Sequence, residues 1–120
     1  MTSHPLPRRK RKAVKFENHA EAYLKKKYPQ VNGWNLIKEY ETVDGKRSDF
    51  YVSKDRTRIA VEAKNVSELQ KSHIEQLDLD ASAIRATDRM MCIPSKTKIK
   101  NKGRKQAKEL DIKIVRLWGF

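Results

Sequence analysis

Apolar positions along the chain switch between two spacings, and the switches mark out its elements. Over 13–28, Phe16, Ala20, Tyr23, Leu24 and Tyr28 fall on one stripe at helical spacing, and Pro29 stops the helix. Asn32 and Gly33 form a turn. Positions 34–43 read as a strand of mixed alternation (Trp34, Leu36, Ile37, Tyr40). Asp44 and Gly45 are a hairpin signal leading into a strand over 47–53. Alternation is clearest over 49–64. Phe50 and Val52 alternate with Asp49 and Tyr51, and Ile59, Val61 and Ala63 alternate with Ala60, Glu62 and Lys64. The polar centre, Lys54 to Thr57, is where the chain reverses.

Beyond this hairpin the period returns to helical. A second helix is expected over 67–87, with Ser67 as N-cap and Leu69, His73, Leu77, Ala81 and Ile84 as its buried stripe. Gln76 lies on an edge of that stripe with His73 and Asp80. Within 89–94, the run after Arg89 is continuously apolar, which predicts a central strand over these positions covered on both faces. A basic loop and helix over 96–110 and a last strand over 112–118 complete the chain. Trp118 and Phe120 are expected either to close the core or to enter a dimer contact. The order is helix, three antiparallel strands, helix, strand, helix, strand. It predicts the α/β class, with a mixed sheet flanked by helices.

The hairpin carries the candidate chemistry. A reversal between Asp55 and Arg56 sets Ser53 opposite Arg58, Tyr51 opposite Ala60 and Asp49 opposite Glu62. Directly opposed side chains share a face, with Cβ atoms roughly 4.5–5.5 Å apart, so two carboxylates placed this way repel. A hard divalent cation with oxygen ligands would reconcile them. Lys64 leaves the same face two residues on. Two carboxylates, a cation and an ammonium suit attack of water on a phosphodiester. Taken alone, Val61, Glu62, Ala63 and Lys64 also fit an ordinary amphipathic strand with a wet polar face. Asp49 at the matching register favours the functional reading.

Asp49, Glu62 and Lys64 form a D-x12-E-x-K pattern that resembles the PD-(D/E)xK nuclease superfamily. The proline that precedes the aspartate in that family is Ser48 here. The stretch F-E-N-H-A-E-A-Y-L, from Phe16, is similar to the opening helix of Holliday-junction-resolvase-like members, with Phe16 at the family's glycine. The resemblance implies the restriction-endonuclease-like αβββαβ core, followed here by a helix and strand. It implies that Asp49, Glu62 and the Ala63 carbonyl hold Mg2+ (or Mn2+), and that Glu17 joins them directly or through water. Lys64 would orient the attacking water, and Gln76 would hold that water or a phosphate. Glu17 borders the apolar stripe of the first helix. Glu21, one turn on, is expected to pair with Lys25 instead.

Charge sharpens this picture. The 120-residue chain has 28 Lys and Arg against 15 Asp and Glu, a net charge of +13, which favours a polyanionic partner. On charge alone nucleic acid leads, with an anionic membrane surface second; the expected partner is nucleic acid, DNA ahead of RNA, and not a membrane. Residues 1–12 are expected to be a basic flexible tail adding phosphate contacts through Arg8, Arg9, Lys10, Arg11 and Lys12. Arg47, Lys96, Lys98, Lys100, Lys102, Arg104 and Lys105 are further candidates for contacts to nucleic acid. Some lysines of the 96–110 run must simply face solvent. Residues 13–120 then form one nuclease domain. Cys92, the single cysteine, lies in an apolar run and reads as a packing residue of a reducing compartment. No apolar run reaches a spanning length and no signal peptide is recognised, so a cytoplasmic protein is expected.

The expected function is a Mg2+-dependent endonuclease, structure-selective for junctions or branched DNA and acting as a homodimer. A nuclease toxin domain with a tRNA or DNA target shares the same features. A non-catalytic nucleic-acid-binding module explains the charge equally well but gives no reason to gather acids on a phosphate-facing surface.

Overall fold

The computed structural model describes residues 8–119, with side chains from position 14 onward. Helix α1 (Arg8–Lys27) leads through a single 3-10 turn (Gln30–Asn32) to β1 (Asn35–Glu41), β2 (Arg47–Lys54) and β3 (Thr57–Ala63). A two-residue strand β4 (Glu68–Leu69) precedes α2 (Lys71–Ala83) and β5 (Asp88–Pro94). A matching short strand β6 (Lys98–Ile99), α3 (Asn101–Glu109) and β7 (Ile112–Leu117) follow. The main sheet has the order β1-β2-β3-β5-β7. Its first two pairings are antiparallel and the next two parallel. This is the expected mixed α/β sheet between helices. Strand β5 is central, and every residue from Met90 to Pro94 is buried, as its unbroken apolar run requires.

The sheet has a core on each face. On one, Phe16, Ala20 and Leu24 of α1 pack against Phe50, Val52, Val61, Met90 and Cys92. On the other, Ile74, Leu77 and Ala81 of α2 and Ala107 of α3 pack against Ala60, Met91, Ile93 and Ile112. Full burial of each large side chain contributes about 1.5–3 kcal/mol, so these stripes account for the sandwich of helix, sheet and helix. Burial pushes the Cys92 thiol up to about 12, which suits a packing residue and not a nucleophile.

Several elements depart from expectation. Helix α1 begins at Arg8, so positions 8–12 form its first turns and not a flexible tail. Those turns carry no apolar stripe, but Lys and Arg are good helix formers. Residues 1–7, Phe120 and the side chains of 8–13 lie outside the described residues. Helix α2 begins at Lys71 with Gln70 as N-cap, not at Ser67. Leu69 is buried as a strand residue, and Ile74 takes the place on the helix stripe that was expected of His73. His73 instead accepts the Gln70 N–H on Nδ1 at 3.0 Å, closing the first turn of the helix. Trp118 is 78% exposed, so it does not close the core.

Two backbone features set the remaining packing. Glu39 has φ of 54° in the middle of β1. Leu36 packs on the α1 side, whereas Tyr40 stacks on Tyr51 on the other side, with ring centroids 4.5 Å apart. The left-handed residue between them reverses the alternation, which is why the sequence pattern of β1 is mixed. Gly103 lets α3 approach the start of α2. A Cβ there would lie 3.2 Å from the Gln70 carbonyl carbon and 3.3 Å from the Lys71 nitrogen.

Candidate active site

Lys54 pairs with Thr57 across a two-residue turn of Asp55 and Arg56, and Asp55 takes the positive φ (53°) that such turns require. The register is the one expected from the sequence, with Ser53 against Arg58, Tyr51 against Ala60 and Phe50 against Val61. Asp49 and Glu62 are the next positions along the two strands, on the face that carries Tyr51 and Ala60. There the ladder gives way to a side-chain contact. Asp49 Oδ2 accepts the Ala63 N–H at 2.9 Å. Ser48, in the position of the family proline, is buried towards α1. Its hydroxyl lies 2.8 Å from the Phe50 carbonyl oxygen and 3.3 Å from that of Val61, fixing the start of β2.

Both half-buried acids are raised above the ordinary carboxylate range. Glu62 is pushed up to about 7, first by burial and then by Asp49, with Lys64 working against both. Burial also raises Asp49, opposed by the Ala63 N–H, Lys64 and Arg47. Glu17, from α1, is raised by burial, then by Asp49 and by Glu39. Three elements thus bring Glu17, Asp49 and Glu62 into one electrostatic neighbourhood. Glu21 is not part of it in the same way. It pairs with Lys25 at 3.2 Å and with Lys38 at 3.5 Å, and the hydrogen bond from Lys25 lowers its pKa.

Glu62 stands between two clefts. One, of about 360 Å3, is lined by Arg47, Ser48, Asp49, Glu62 and Asp80, together with Gly45 and Lys46. The other, of about 230 Å3, holds Lys64, Ser72, His73 and Gln76 around Glu62. Asp80 is the residue that sequence reasoning did not assign. It raises the pKa of both Asp49 and Glu62. It also accepts a hydrogen bond from Gln76 Nε2 at 2.9 Å, four residues earlier on α2. That four-residue spacing beside a candidate glutamine was the available signal. Among the described residues, no three His, Cys, Asp or Glu side chains converge closely enough to form a ready-made metal centre.

The candidate phosphate contacts fall into groups. Arg47 lines the cleft with Asp49. Strands β4 and β6 pair in parallel just beyond the C-terminal ends of β3 and β5, and carry Lys98 and then Lys100 to the end of the sheet that holds Lys64. Lys100 pairs with Glu68 at 3.5 Å. Lys96, Lys102, Arg104 and Lys105 are exposed, the last three on α3 as it runs back along the sheet. Positions 8–12 precede Glu17 on the same helix, the nearest of them roughly 8 Å up its axis at 1.5 Å per residue.

No family model matches the chain, and no curated protein matches it in sequence. Two solved structures share its fold. One is the crystal structure of AF1548, a protein of unknown function, with TM-score 0.60 and 18% identity over 82% of this chain and 55% of that one. The other is Pyrococcus furiosus SfsA in complex with Ca2+, with TM-score 0.57 and 20% identity over 88% of this chain and 57% of that one. The chain therefore spans little more than half the length of either protein, and at these identities the likeness is one of fold.

Proposed function

We propose that the chain is a divalent-metal-dependent nuclease of the PD-(D/E)xK type that hydrolyses phosphodiester bonds of DNA. The observation that carries this reading is that Asp49 and Glu62, one position beyond the paired ladder of one hairpin, line the same cleft half-buried, with Asp49 raising Glu62 and Lys64 acting against it. A protein that only bound phosphates would gain nothing from such an arrangement, because buried like charges are costly to hold together.

The donor set fits a hard cation. Asp49 keeps Oδ1 available while Oδ2 is held by the Ala63 N–H. Glu62 and the Ala63 carbonyl would complete the protein's share. Mg2+ commonly takes only one or two carboxylates and keeps several waters, so a site without a third close ligand suits it, and Mn2+ would substitute. The solved structure of SfsA, which shares the fold, is a complex with Ca2+. When bound, such an ion polarises a phosphoryl oxygen and lowers the pKa of a coordinated water.

The chain's own residues supply the rest. Lys64 orients the attacking water and offsets charge developing on the phosphate. Gln76, anchored by Asp80, presents its amide to the water or to a neighbouring phosphate. Glu17 reaches the site through water. Arg47, Lys98, Lys100 and the basic first turns of α1 grip the backbone. Those turns place cations at a helix N-terminus, against the macrodipole, a cost that bound phosphate relieves.

Branched DNA cut by a homodimer is the substrate and assembly we favour. A toxin-like domain acting on tRNA is the alternative within the same chemistry. Digestion of a labelled four-way junction, flap, duplex, single strand and tRNA, each with Mg2+, Mn2+ or EDTA, tests the reading. Metal-dependent cutting of the junction or flap in preference to the duplex is expected. Cutting of tRNA alone selects the toxin reading, and no cutting of any substrate leaves a binding module.

A further inference from the structure

The end of the sheet away from the acids carries aromatic rings and lysines that the proposed chemistry does not use. Tyr28, just past α1, and Trp34, just before β1, meet edge to face with centroids 4.7 Å apart. Both are only half-buried. They line a cleft of about 400 Å3 with Lys25, Gln30, Asn35 and Leu36, within the range of small-ligand sites. Lys54 Nζ lies 5.7 Å from the Trp34 ring centre, and Lys27 Nζ lies 5.7 Å from that of Tyr23 and 5.9 Å from that of Tyr28.

Core closure explains why the rings are here but not the company they keep. Lys25 pairs with Glu21, whereas neither Lys27 nor Lys54 pairs with a carboxylate among the described residues. Lys113 adds a third cation, close enough to Lys27 that contact between the two lysines lowers its pKa. Of the acids near this end, Glu21 is held by Lys25 and Lys38, and Asp88 and Asp111 line a second cleft that shares Tyr28 and includes Lys113. Exposed amides at Gln30 and Asn35 offer donors and acceptors at the mouth. Rings for stacking, amides for base edges and ammonium groups without a carboxylate partner for phosphates are the three parts of a single-strand site.

We propose that the Tyr28–Trp34 cleft binds a single-stranded segment of nucleic acid, with a nucleobase against the rings and its phosphates on Lys27 and Lys54. Stacking on Trp34 displaces Lys54 from the ring face and frees its ammonium group for the backbone. Lys54 lies five positions along β2 from Asp49, so this end of the strand is roughly 17 Å from the acids, far enough to hold a strand leaving a branch point. Binding here does not require the acidic end to be catalytic.

The test is a fluorescence titration in EDTA on Trp118→Phe, Glu62→Gln protein, in which Trp34 is the sole indole and cleavage is excluded. The probe is an oligothymidylate of about 10 nucleotides. Saturable quenching of Trp34 is expected, with a duplex of equal length quenching far less. Lys27→Glu with Lys54→Glu should weaken binding of the oligonucleotide by at least about tenfold. The charge-neutral pair Gln30→Ala with Asn35→Ala, which leaves the rings packed, should weaken it by about tenfold. Binding without a change in Trp34 emission, equal quenching by duplex, no binding, or wild-type affinity in either double variant overturns the proposal.

Discussion

Glu62 concentrates the account at the scale of a single residue. Its carboxyl titrates at about 7 in the folded chain against 4.5 as an ordinary glutamate. Between those values the folded chain binds more protons than the unfolded chain, so stability falls as pH rises through that window and levels off above it. Glu62→Gln removes the buried charge. It should therefore stabilise the protein by about 1–2 kcal/mol at pH 8, allowing for partial exposure, and leave it unchanged near pH 4. Thermal denaturation at both pH values checks this, and an equal effect at each would point to packing instead. A divalent cation should produce the same relief in the wild type. Mn2+ at about 100 times its dissociation constant adds about 2.7 kcal/mol. The melting temperature at pH 8 should rise accordingly, and should not rise in Asp49→Asn or Glu62→Gln. The sequence made Asp49, Glu62 and Lys64 legible because strand alternation fixes which side chains share a face. Asp80 was not legible in the same way. Its place beside the acids comes from how α2 lies across the sheet, which no local period encodes.

At the scale of elements, period-two alternation around a polar turn gave the β2–β3 register, and an unbroken apolar run gave β5. The misplaced boundaries have separate causes. Two-residue strands such as β4 and β6 are too short to carry a period, so Glu68 and Leu69 read as the first turn of α2. The first turns of α1 are all polar but for Ala13, so the stripe that marks a helix begins too late. Glu39 interrupts β1 through its backbone and leaves only a disordered alternation in the sequence. The β4–β6 pair matters because it joins the segments after β3 and β5 beside Lys64, and α3 closes over it at Gly103. Gly103→Ala should cost about 1–3 kcal/mol despite alanine's better helix propensity, because its Cβ presses on backbone at Leu69, Gln70 and Lys71. Chemical denaturation measures it, and a variant as stable as wild type would show that α3 can shift without cost.

The whole molecule sets two opposed requirements against each other. A net charge of +13 favours a polyanionic partner, while Asp49 and Glu62 line one cleft as a pair of acids. Under the proposed reading, a cation at that site would resolve the conflict and tie the basic residues to the chemistry. The order β1-β2-β3-β5-β7, shared in fold with AF1548 and SfsA, puts the parallel strand ends, α2 and the β4–β6 pair around Glu62 and Lys64. Single-turnover cleavage of a labelled four-way junction in Mg2+, measured beside binding of the same DNA, tests this most directly. Glu62→Ala should cut at least about 100-fold more slowly than the wild type while binding as tightly or more tightly, because a negative charge facing phosphate has gone. Equal cleavage rates for the two proteins would contradict the assignment of Glu62 and the site built around it.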